Sequence, residues 1–578
     1  MAIQPLETRV QDVVYTLDTG TGLRSIQWLL AVAAVFVLVL LFQVSQFKGL
    51  KEPEAMELAQ LGQNISEQRA FVTKVVRPAS MEFLSARPGS DANTQVMNHP
   101  DMFHAPLYPV LLAAGFKLFP TAFAPGQRGV YSPEQWIIMP LNHTFAILTG
   151  VLVWIIAGRL FNRKVSMVAT ACYFLSRTIW EDSISGLGLT LVYFFITAAF
   201  YLTLVAADRA RAGERWMRFA LPMVGSAVLV GLAALTRYAA LAVIPGLLLY
   251  LGFALKRRST IWLPVYLAVV ALMLAPWMAR NMSVSGTPFG MAHYRMWTDS
   301  KGSEGDAWER DLDVPGKGLG EWVGLMRRNL IVRGGEYLRD GIPGLGDGIV
   351  IWPLFLTTFF FRFVRPEVRL FRWALLVSMI SMWMAAALFG DPVFRMMTIF
   401  WPFIIIYGLA FFFVLLDRLQ FQLRIVNGAI TGLVVLLTAV PYALALLPPR
   451  PGVPYPPYYP PFIQYVTEML SPADVMATDM PWATAWYGRR ISVYLPIKLN
   501  DFYQINDYRR TIKGVYLTTL TTDLPMTRQL LTGPFRQWYP ILNNRLPNDF
   551  PLTQGLPLSN RDQLFLTDQL RLPESRNP

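Results

Sequence analysis

Apolar runs long enough, or nearly long enough, to cross a lipid bilayer recur along most of this 578-residue chain and limit its fold more than any other feature. A bilayer core requires about 20 apolar residues per helix. The runs predict eleven membrane spans, at residues 26–47, 136–160, 165–179, 187–207, 219–235, 239–255, 261–278, 349–363, 373–389, 398–416 and 425–447. Charged residues make up only 15% of the chain, against roughly 25% in a soluble domain. The sequence therefore excludes a soluble, disordered or fibrous protein and predicts a polytopic α-helical membrane protein.

Clusters of basic residues between these runs predict the orientation. The net charge is +13, and the positive residues gather in short loops on alternating crossings, at 159–164, 209–218, 256–258, 362–372 and 418–424. Cytoplasmic loops of membrane proteins carry such clusters. We therefore expect a multi-pass protein of the cell (inner) membrane, with its N-terminus in the cytoplasm and its C-terminus outside. The lipid bilayer explains the basic clusters, and no nucleic-acid partner is expected.

Three long polar segments are predicted on the outer side. They are a first long loop at 48–135, a second long loop at 279–348, and a tail that follows the transmembrane domain of residues 1–447. The tail opens with a linker at 448–461, in which eight of fourteen residues are proline, so we expect a stiff, extended spacer. Residues 462–578 are predicted to form a small extracytoplasmic α/β domain, with strands at 491–494 and 515–518 and helices at 461–470 and 500–511.

The first long loop carries the strongest candidate for chemistry. Pro53 suits a first helical position, and the spacing of Leu58, Leu61 and Ile65 predicts an amphipathic helix on the membrane surface. Glu54 and Glu57 share one face of this helix. Glu54 has two interpretations: a catalytic carboxylate, or an acidic residue that only complements the helix dipole. A second proline-punctuated stretch, from His99 through His104 to Ala113, opens another helix.

These two stretches resemble the first outer loop of GT-C class glycosyltransferases, of the protein O-mannosyltransferase and lipid A aminoarabinose transferase type (family-39-like). The resemblance continues in order along roughly the first 415 residues. It includes Gly158-Arg-Leu-Phe-Asn-Arg, Gly231-Leu-Ala-Ala-Leu-Thr-Arg-Tyr, Ala275-Pro-Trp-Met-Ala-Arg-Asn-Met-Ser-Val-Ser-Gly-Thr-Pro-Phe, and Phe394-Arg395 before a span that contains Pro402. One position departs from the pattern, because Ala105 stands where the aminoarabinose enzymes have a lysine.

The resemblance implies an inverting transferase whose donor is a polyprenyl-phosphate sugar and whose acceptor is extracytoplasmic: a protein, a glycolipid or a polysaccharide. It places Glu54 at the position of the catalytic acid of these enzymes, where we expect a general base. Glu181 and Asp182 are candidates for a second acidic position. A departing phosphate requires cations, and the candidates are Arg237 and Arg395, with His104 as a further contact. Arg280 is a weaker candidate, for which we favour an interaction with lipid headgroups.

A non-catalytic alternative is a transporter or flippase of a lipid-linked saccharide. Mid-span polar residues are sparse, which disfavours a path across the bilayer. Neither a metal nor a nucleotide cofactor is expected: the single cysteine, Cys172, lies in an apolar run, and the four histidines lack metal-ligand spacing. The aromatic residues Trp482, Trp486 and Tyr487 of the tail fit either a sugar-stacking platform or, as we favour, ordinary packing.

Overall fold

The computed structural model describes residues 21–68, 70–85, 91, 95–126, 129–300, 305–316, 318–341, 347–348, 350–420, 424–448, 458–543, 545–556, 558 and 563–571. The α-helices are Thr21–Gln46, Pro53–Gln68, Pro78–Ser85, Leu107–Leu118, Met139–Leu160, Arg163–Phe174, Arg177–Ile184, Leu189–Arg211, Trp216–Thr236, Ile244–Leu255, Ser259–Ser285, Leu319–Glu336, Ile351–Thr357, Pro366–Phe389, Asp391–Phe394, Trp401–Arg418, Arg424–Leu446, Pro460–Glu468, Pro481–Trp486, Leu499–Tyr508, Thr519–Thr522 and Tyr539–Leu542. Short 3-10 or π-helical turns are Glu134–Ile138, Tyr238–Val243, Lys256–Arg258, Ala292–Trp297, Ala307–Arg310, Tyr337–Gly341, Thr358–Phe360, Arg395–Phe400 and Met526–Leu531.

Eight helical stretches in the described part of the chain are long and apolar enough to cross a membrane. They are Ser25–Gln46, Glu134–Leu160, Leu189–Arg211, Trp216–Thr236, Tyr238–Ser285, Pro366–Phe389, Asp391–Arg418 and Ile425–Leu446. The stretch Tyr238–Ser285 contains two predicted spans, because Lys256 takes a positive φ of 53° and a turn separates two helices there. The predicted fold class is confirmed. The number of eleven crossings stays a prediction.

The two remaining predicted spans are short in the structure. The run at 165–179 is divided between helices Arg163–Phe174 and Arg177–Ile184, and the run at 349–363 contains an apolar helix of ten residues, Ile351–Phe360. Apolarity alone therefore does not define the helix ends here. Both segments contact the deeply buried stretch Asp391–Arg418 or its neighbours, so their apolar side chains are covered by protein.

Small residues allow the spanning helices to approach one another closely. A Cβ atom at Gly246 would lie 2.1 Å from the carbonyl oxygen of Ala374, so helices Ile244–Leu255 and Pro366–Phe389 meet backbone against backbone. Without a strong hydrophobic force between helices in lipid, such close van der Waals packing is a main source of association. The first and last spans are the least buried, and they pack together through Phe42 and Tyr442.

A six-stranded sheet forms the centre of the C-terminal domain. Its strands are β1 Val75–Val76, β2 Val475–Thr478, β3 Ile491–Tyr494, β4 Ile512–Leu517, β5 Gln554–Leu556 and β6 Leu564–Thr567, in the order β1-β3-β2-β4-β6-β5. The first four strands in this order are parallel to one another, β6 pairs antiparallel with β4, and β5 pairs antiparallel with β6. The predicted strands and helices of the tail are confirmed. Of the predicted linker at 448–461, residues 449–457 lie outside the described residues.

One strand of this sheet comes from the first long loop. In β1, Val75 pairs with Ser492 and Val76 pairs with Val493 of β3. Backbone hydrogen bonds therefore join the first long loop to the C-terminal domain, and the residue that follows β1, Arg77, is fixed by this pairing.

The helix Pro53–Gln68 is enclosed rather than lying on a surface. It packs between helices Leu107–Leu118 and Pro481–Trp486, and Ala55, Met56 and Ala59 are fully buried. The prediction of a surface-lying helix is therefore wrong. The predicted stripe of Leu58, Leu61 and Ile65 is only one apolar face, and the small residues on the other sides allow neighbouring helices to cover those faces as well.

Candidate functional site

Glu54 lies in the first turn of helix Pro53–Gln68, between two guanidinium groups. Its Oε1 is 3.3 Å from Nη2 of Arg237, and its Oε2 is 3.9 Å from Nη1 of Arg295. About four fifths of the Glu54 side chain is buried, and both arginines are mostly buried as well. The N-terminus of the helix also favours a negative charge at this place. The carboxylate is thus held by three positive influences.

Arg237 reaches this site from a break between two helices. The helix Trp216–Thr236 ends one residue before it, and a 3-10 turn begins one residue after it. Its guanidinium donates to the carbonyl of Leu187 at 3.4 Å. That carbonyl is presented by a tight segment in which Gly186 and Gly188 take positive φ angles, and a side chain at Gly188 would collide with the Tyr108 ring.

Arg295 comes from the second long loop and was not predicted from the sequence. It lies in the 3-10 turn Ala292–Trp297, which is anchored where the backbone N–H of Met291 donates to the carbonyl of Met102 at 2.7 Å. Gly290 makes this approach possible, because a Cβ atom there would lie 2.2 Å from the same carbonyl. Its sequence signal is a lone cation among aromatic residues, in Met291-Ala-His-Tyr-Arg-Met-Trp.

The charges around Glu54 keep it ionised. Burial raises the pKa of its carboxyl group, but the guanidinium groups of Arg237 and Arg295, together with His104, outweigh burial and hold the pKa at about 2. In this state Glu54 is a carboxylate over the whole physiological range, but a weak base. Any ligand that neutralises the two arginines raises the basicity of Glu54.

A second set of charged residues, centred on Arg77 and His104, lies next to Glu54 and holds the surrounding loop segments in place. Arg77 donates to both carboxylate oxygens of Glu57, at 2.7 and 2.9 Å, and to Glu309 at 2.5 Å. His104 Nδ1 lies 2.9 Å from Asp101, and its Nε2 lies 3.5 Å from Glu57. Burial lowers the pKa of His104, but Asp101, Glu57 and Glu54 raise it more, so the ring favours its cationic form. The ion pair of Arg77 with Glu309 joins the first long loop to the second, and the other ion pairs hold the first loop together.

Glu54 lies in the shared wall of two cavities of opposite character. The apolar cavity has a volume of about 530 Å³ and is lined mostly by apolar side chains, and its titratable lining includes Glu54, His104, Arg237, His293 and Arg295. The polar cavity has a volume of about 620 Å³. Its charged lining consists of eight acidic residues and four arginines: Glu52, Glu54, Glu57, Asp299, Asp306, Glu309, Glu336, Asp391, Arg77, Arg295, Arg328 and Arg333. Trp482 and Tyr494 of the C-terminal domain complete its wall.

The other predicted site residues lie beside these cavities, and the described lining of neither cavity includes them. Arg395 pairs with Glu52 at 2.8 Å and is half exposed. Asp182 accepts a hydrogen bond from the hydroxyl of Tyr193, and burial raises its pKa to about 7, although Tyr193 and Arg395 oppose this. Glu181 points the other way, because it forms an exposed ion pair with Arg177 at 2.7 Å, one helical turn before it.

Arg280 binds the first long loop instead of extending to lipid headgroups. Its Nη1 donates to the carbonyl of Asp101 at 2.6 Å, and its Nη2 donates to the carbonyl of Phe71 at 3.3 Å. Trp486 and Tyr487 are buried in aromatic packing, as we favoured, but Trp482 lines the polar cavity. Within the described ranges, no group of three or more His, Cys, Asp and Glu side chains is placed to hold a metal ion. That no metal or cofactor takes part stays a prediction.

Comparisons with known proteins identify the fold. A family model described as dolichyl-phosphate-mannose-protein mannosyltransferase matches residues 103–279. No curated protein matches the chain. The structure of the Archaeoglobus fulgidus oligosaccharyltransferase in the apo form is similar at 12% identity and a TM-score of 0.55, over 85% of this chain and 70% of that one. ArnT from Cupriavidus metallidurans bound to undecaprenyl phosphate is similar at 12% identity and a TM-score of 0.52, over 94% of this chain and 98% of that one.

The archaeal oligosaccharyltransferase AglB from Archaeoglobus fulgidus, in complex with an inhibitory peptide and a dolichol-phosphate, is similar at 12% identity and a TM-score of 0.53, over 84% of this chain and 69% of that one. At this identity the solved structures show the fold alone. With the family model, they confirm the predicted resemblance to GT-C class glycosyltransferases of the protein O-mannosyltransferase and ArnT type, and they support a glycosyltransferase in a multi-pass membrane protein.

Proposed function

We propose that this chain is an inverting glycosyltransferase that moves one sugar from a polyprenyl-phosphate carrier to a hydroxyl group of an extracytoplasmic acceptor. One observation carries the proposal: Glu54 is a shared wall residue of an apolar cavity and a polar cavity, and two arginines stand beside it. A lipid-linked sugar has an apolar chain, an anionic phosphate and a polar sugar, and this site offers a complement to each part.

The apolar cavity suits the lipid end of the donor. Leu241, Ala242 and Leu388 line it, and Met384, which is half exposed on helix Pro366–Phe389, brings it to the outer surface of the helix bundle. Its volume fits the first isoprene units of a chain whose remainder lies in the bilayer. The phosphate is proposed to bind at Arg237 and Arg295, which line the cavity beside Glu54 and are mostly buried, so water screens their charges weakly.

The proposed chemistry needs one base and a set of cations. The acceptor oxygen attacks the anomeric carbon from the face opposite the phosphate, and its proton passes to Glu54. The bond between the anomeric carbon and the phosphate oxygen breaks, and its electron pair leaves with the polyprenyl phosphate. A phosphate leaves without a general acid, so a single carboxylate suffices where glycosidases use two. Arg237, Arg295 and protonated His104 stabilise the charge on the leaving phosphate.

Donor binding also adjusts the base. In the donor-free site, Arg237 and Arg295 hold the pKa of Glu54 at about 2. A bound phosphate shares these arginines, which removes part of their effect on Glu54 and raises its proton affinity at the moment when it has to accept a proton. Asp182 and Arg395 lie next to this region, and we propose that Asp182 orients the acceptor and that Arg395 holds Glu52 and supports the phosphate site.

The polar cavity is the proposed place of the acceptor. Two of its four arginines are already paired: Arg77 with Glu57 and Glu309, and Arg333, through Nη1, with the carbonyl of Leu388 at 3.2 Å. The excess of carboxylates disfavours an anionic acceptor and favours hydroxyl donors, because an ionised carboxylate only accepts hydrogen bonds.

The test is transfer from labelled polyprenyl-phosphate sugars by membranes that carry the wild-type chain, Glu54→Gln, or Glu67→Gln. Glu67 is a matched control, because it lies on the same helix and pairs with Arg489, away from both cavities. We expect Glu54→Gln to lower kcat about thousandfold and Glu67→Gln to leave it within about twofold.

Two outcomes would contradict the proposal. Unchanged transfer by Glu54→Gln would remove Glu54 as the base. Movement of the labelled lipid across the membrane by the wild-type chain, with no transfer from any donor, would favour the flippase alternative instead.

A further inference from the structure

A third cavity lies beside the polar cavity, on the face where the second long loop meets the C-terminal domain. This side cavity has a volume of about 670 Å³ and is lined by Gly305, Asp306, Ala307, Trp308, Arg310, Asp311, Asp313, Pro315, Ile497, Lys498, Leu524, Gln529, Pro534 and Phe535. None of these residues takes part in the proposed transfer chemistry. Their composition nevertheless combines carboxylates, cations and aromatic rings, as a ligand-binding site does.

The side cavity and the polar cavity are neighbours. Asp306 lines both of them and accepts a hydrogen bond from the hydroxyl of Tyr494, which belongs to the polar cavity. The guanidinium of Arg310 lies over the ring of Tyr494 at 4.6 Å and over the ring of Phe535 at 4.7 Å, so it links the walls of the two cavities. A ligand that is longer than the polar cavity can therefore extend into the side cavity.

Arg310 carries an unused hydrogen-bond donor at this junction. The residue is more than nine tenths buried and lines the side cavity. Its Nε donates to the carbonyl of Leu495 at 2.8 Å, and its Nη1 is 4.0 Å from Asp306, but its Nη2 has no hydrogen-bond partner among the described residues. A buried donor without a partner is costly in a folded protein, and a bound ligand is one way to satisfy it.

The charges of the side cavity favour a neutral ligand. Two of its three carboxylates face cations of the same lining: Asp311 pairs with Lys498 at 2.7 Å, and Asp306 faces Arg310. The side cavity therefore has little unpaired charge with which to attract a strongly cationic or anionic ligand. Carboxylates that accept hydrogen bonds, a guanidinium that donates, and the apolar surfaces of Trp308 and Phe535 complement the hydroxyl groups and C–H faces of sugar rings.

We propose that the acceptor is a neutral glycan chain, and that the side cavity binds the sugar units that follow the one in the polar cavity. This inference rests on the proposed function, since it assigns the polar cavity to the acceptor. It narrows the acceptor from any extracytoplasmic hydroxyl compound to an oligosaccharide or polysaccharide of several units. It also gives the C-terminal domain a role, because Lys498 and Phe535 belong to that domain.

The test measures binding to the purified full-length chain in lipid nanodiscs by titration calorimetry. The probes are neutral oligosaccharides of two to eight units, from α- and β-linked glucose, α-linked mannose, β-linked galactose and arabinose series. We expect at least one series to bind about tenfold tighter as hexasaccharide than as disaccharide. We expect the double variant Asp311→Asn/Asp313→Asn to weaken hexasaccharide binding about tenfold and to leave disaccharide binding within about twofold.

Two further variants complete the design. Ala307→Trp narrows the side cavity without removing a charge. It should weaken hexasaccharide binding about as much as the double variant does and leave disaccharide binding unchanged. Asp523→Asn is the matched control, because Asp523 is an exposed aspartate of the C-terminal domain outside the cavity lining. It should bind every probe as the wild-type chain does.

The outcome separates this inference from the proposed function. The inference would be overturned if binding affinity did not depend on oligosaccharide length, or if this dependence were kept in both side-cavity variants. It would also be overturned if a serine-containing heptapeptide bound saturably to the wild-type chain and to the control but not to the side-cavity variants. Transfer from polyprenyl-phosphate sugars is assayed on the same preparations. If transfer depends on Glu54 but binding does not depend on oligosaccharide length, the proposed function is kept and the glycan subsite is rejected. If binding depends on oligosaccharide length but no transfer is found, the glycan subsite is kept and the proposed function is rejected.

Discussion

The apolar and polar cavities share Glu54, Arg295, Phe389 and Pro392 but differ in the rest of their linings. The apolar cavity has one carboxylate, two arginines and two histidines, His104 and His293, within an otherwise largely apolar lining, and the carboxylates near His104 raise the pKa of its ring. The polar cavity has eight carboxylates and four arginines. One side of the shared wall is therefore cationic in an apolar setting, and the other side is anionic in a polar one. Under the proposed function, this difference directs the anionic lipid to one side of Glu54 and the hydroxyl compound to the other.

Arginine side chains have different surroundings in the two cavities. The lining of the apolar cavity contains few polar groups apart from those near Glu54, so the field of Arg237 on a bound phosphate is weakly screened. In the polar cavity, Arg328 is exposed to solvent and donates to the carbonyl of Asp299 at 3.5 Å. Removing an arginine should therefore cost far more in the first cavity than in the second.

The largest expected effect is the loss of both arginines of the apolar cavity. We expect Arg237→Gln/Arg295→Gln to lower kcat/KM for the donor about thousandfold or more, because the leaving phosphate loses two cations that stabilise it in the transition state. The measurement is the initial rate of transfer against donor concentration in proteoliposomes. Arg237→Lys/Arg295→Lys should restore part of the loss, since it restores charge but not the fork of donors.

Arg328→Gln is the matched control in the polar cavity, and we expect its donor kcat/KM to stay within about threefold of wild type. If kcat/KM for the donor fell by the same factor in both double variants and in this control, the proposed distinction between the cavities would be contradicted. Thermal unfolding of each variant shows whether the fold is kept, because removing Arg237 leaves the partly buried Glu54 with less compensation.

A smaller effect is expected from filling the apolar cavity. Ala385 lines it, and Ala385→Trp places a large ring where the proposed lipid chain lies. We expect the donor KM to rise about tenfold for a long polyprenyl chain and about twofold or less for a donor with a single isoprene unit, while kcat changes little. Ala268→Trp is the control, since Ala268 is an exposed residue of helix Ser259–Ser285. Equal effects on both chain lengths would mean that the lipid lies elsewhere.

Local signals were sufficient for one part of this site. Pro53 and Glu54 follow the rules for a helix start, so the start of this helix was predicted from its neighbours in the chain, as was Arg237 as a cation between two apolar runs. The catalytic role expected of Glu54 came from the resemblance to GT-C enzymes and stays a prediction. The alternation of short strands and helices in the tail was likewise a local pattern, and the structure confirms it.

The rest depends on contacts between residues that are distant in the chain. Arg295 meets Glu54 only because Gly290 lets the second long loop pair with Met102 of the first. The two-residue strand β1 is too short to carry a pattern of its own, and it forms because β3 offers a free parallel edge. The pairing of Arg395 with Glu52 was also invisible, because the two residues are far apart in the chain and charge alone does not reveal which partner a flexible side chain takes. The ion pair of Glu181 with Arg177 is different, because the two residues are four positions apart on one helix and their spacing is a local signal.

The smallest expected effect is a pH dependence that separates the two states of Glu54. In the donor-free site its pKa is about 2, so protonation of Glu54 leaves kcat/KM for the donor unaffected down to about pH 3. If the bound phosphate releases Glu54 from its arginines, the pKa returns toward an ordinary value of about 4.3, and kcat falls about threefold between pH 6 and pH 4. The sign follows from the role of a base, which must be deprotonated, so activity is lost as the pH falls. The donor phosphodiester stays ionised over this range and adds no titration of its own. Parallel acid limbs in kcat and kcat/KM would contradict release of Glu54 by the donor, and would mean that Glu54 has the same surroundings before and after the donor enters the apolar cavity.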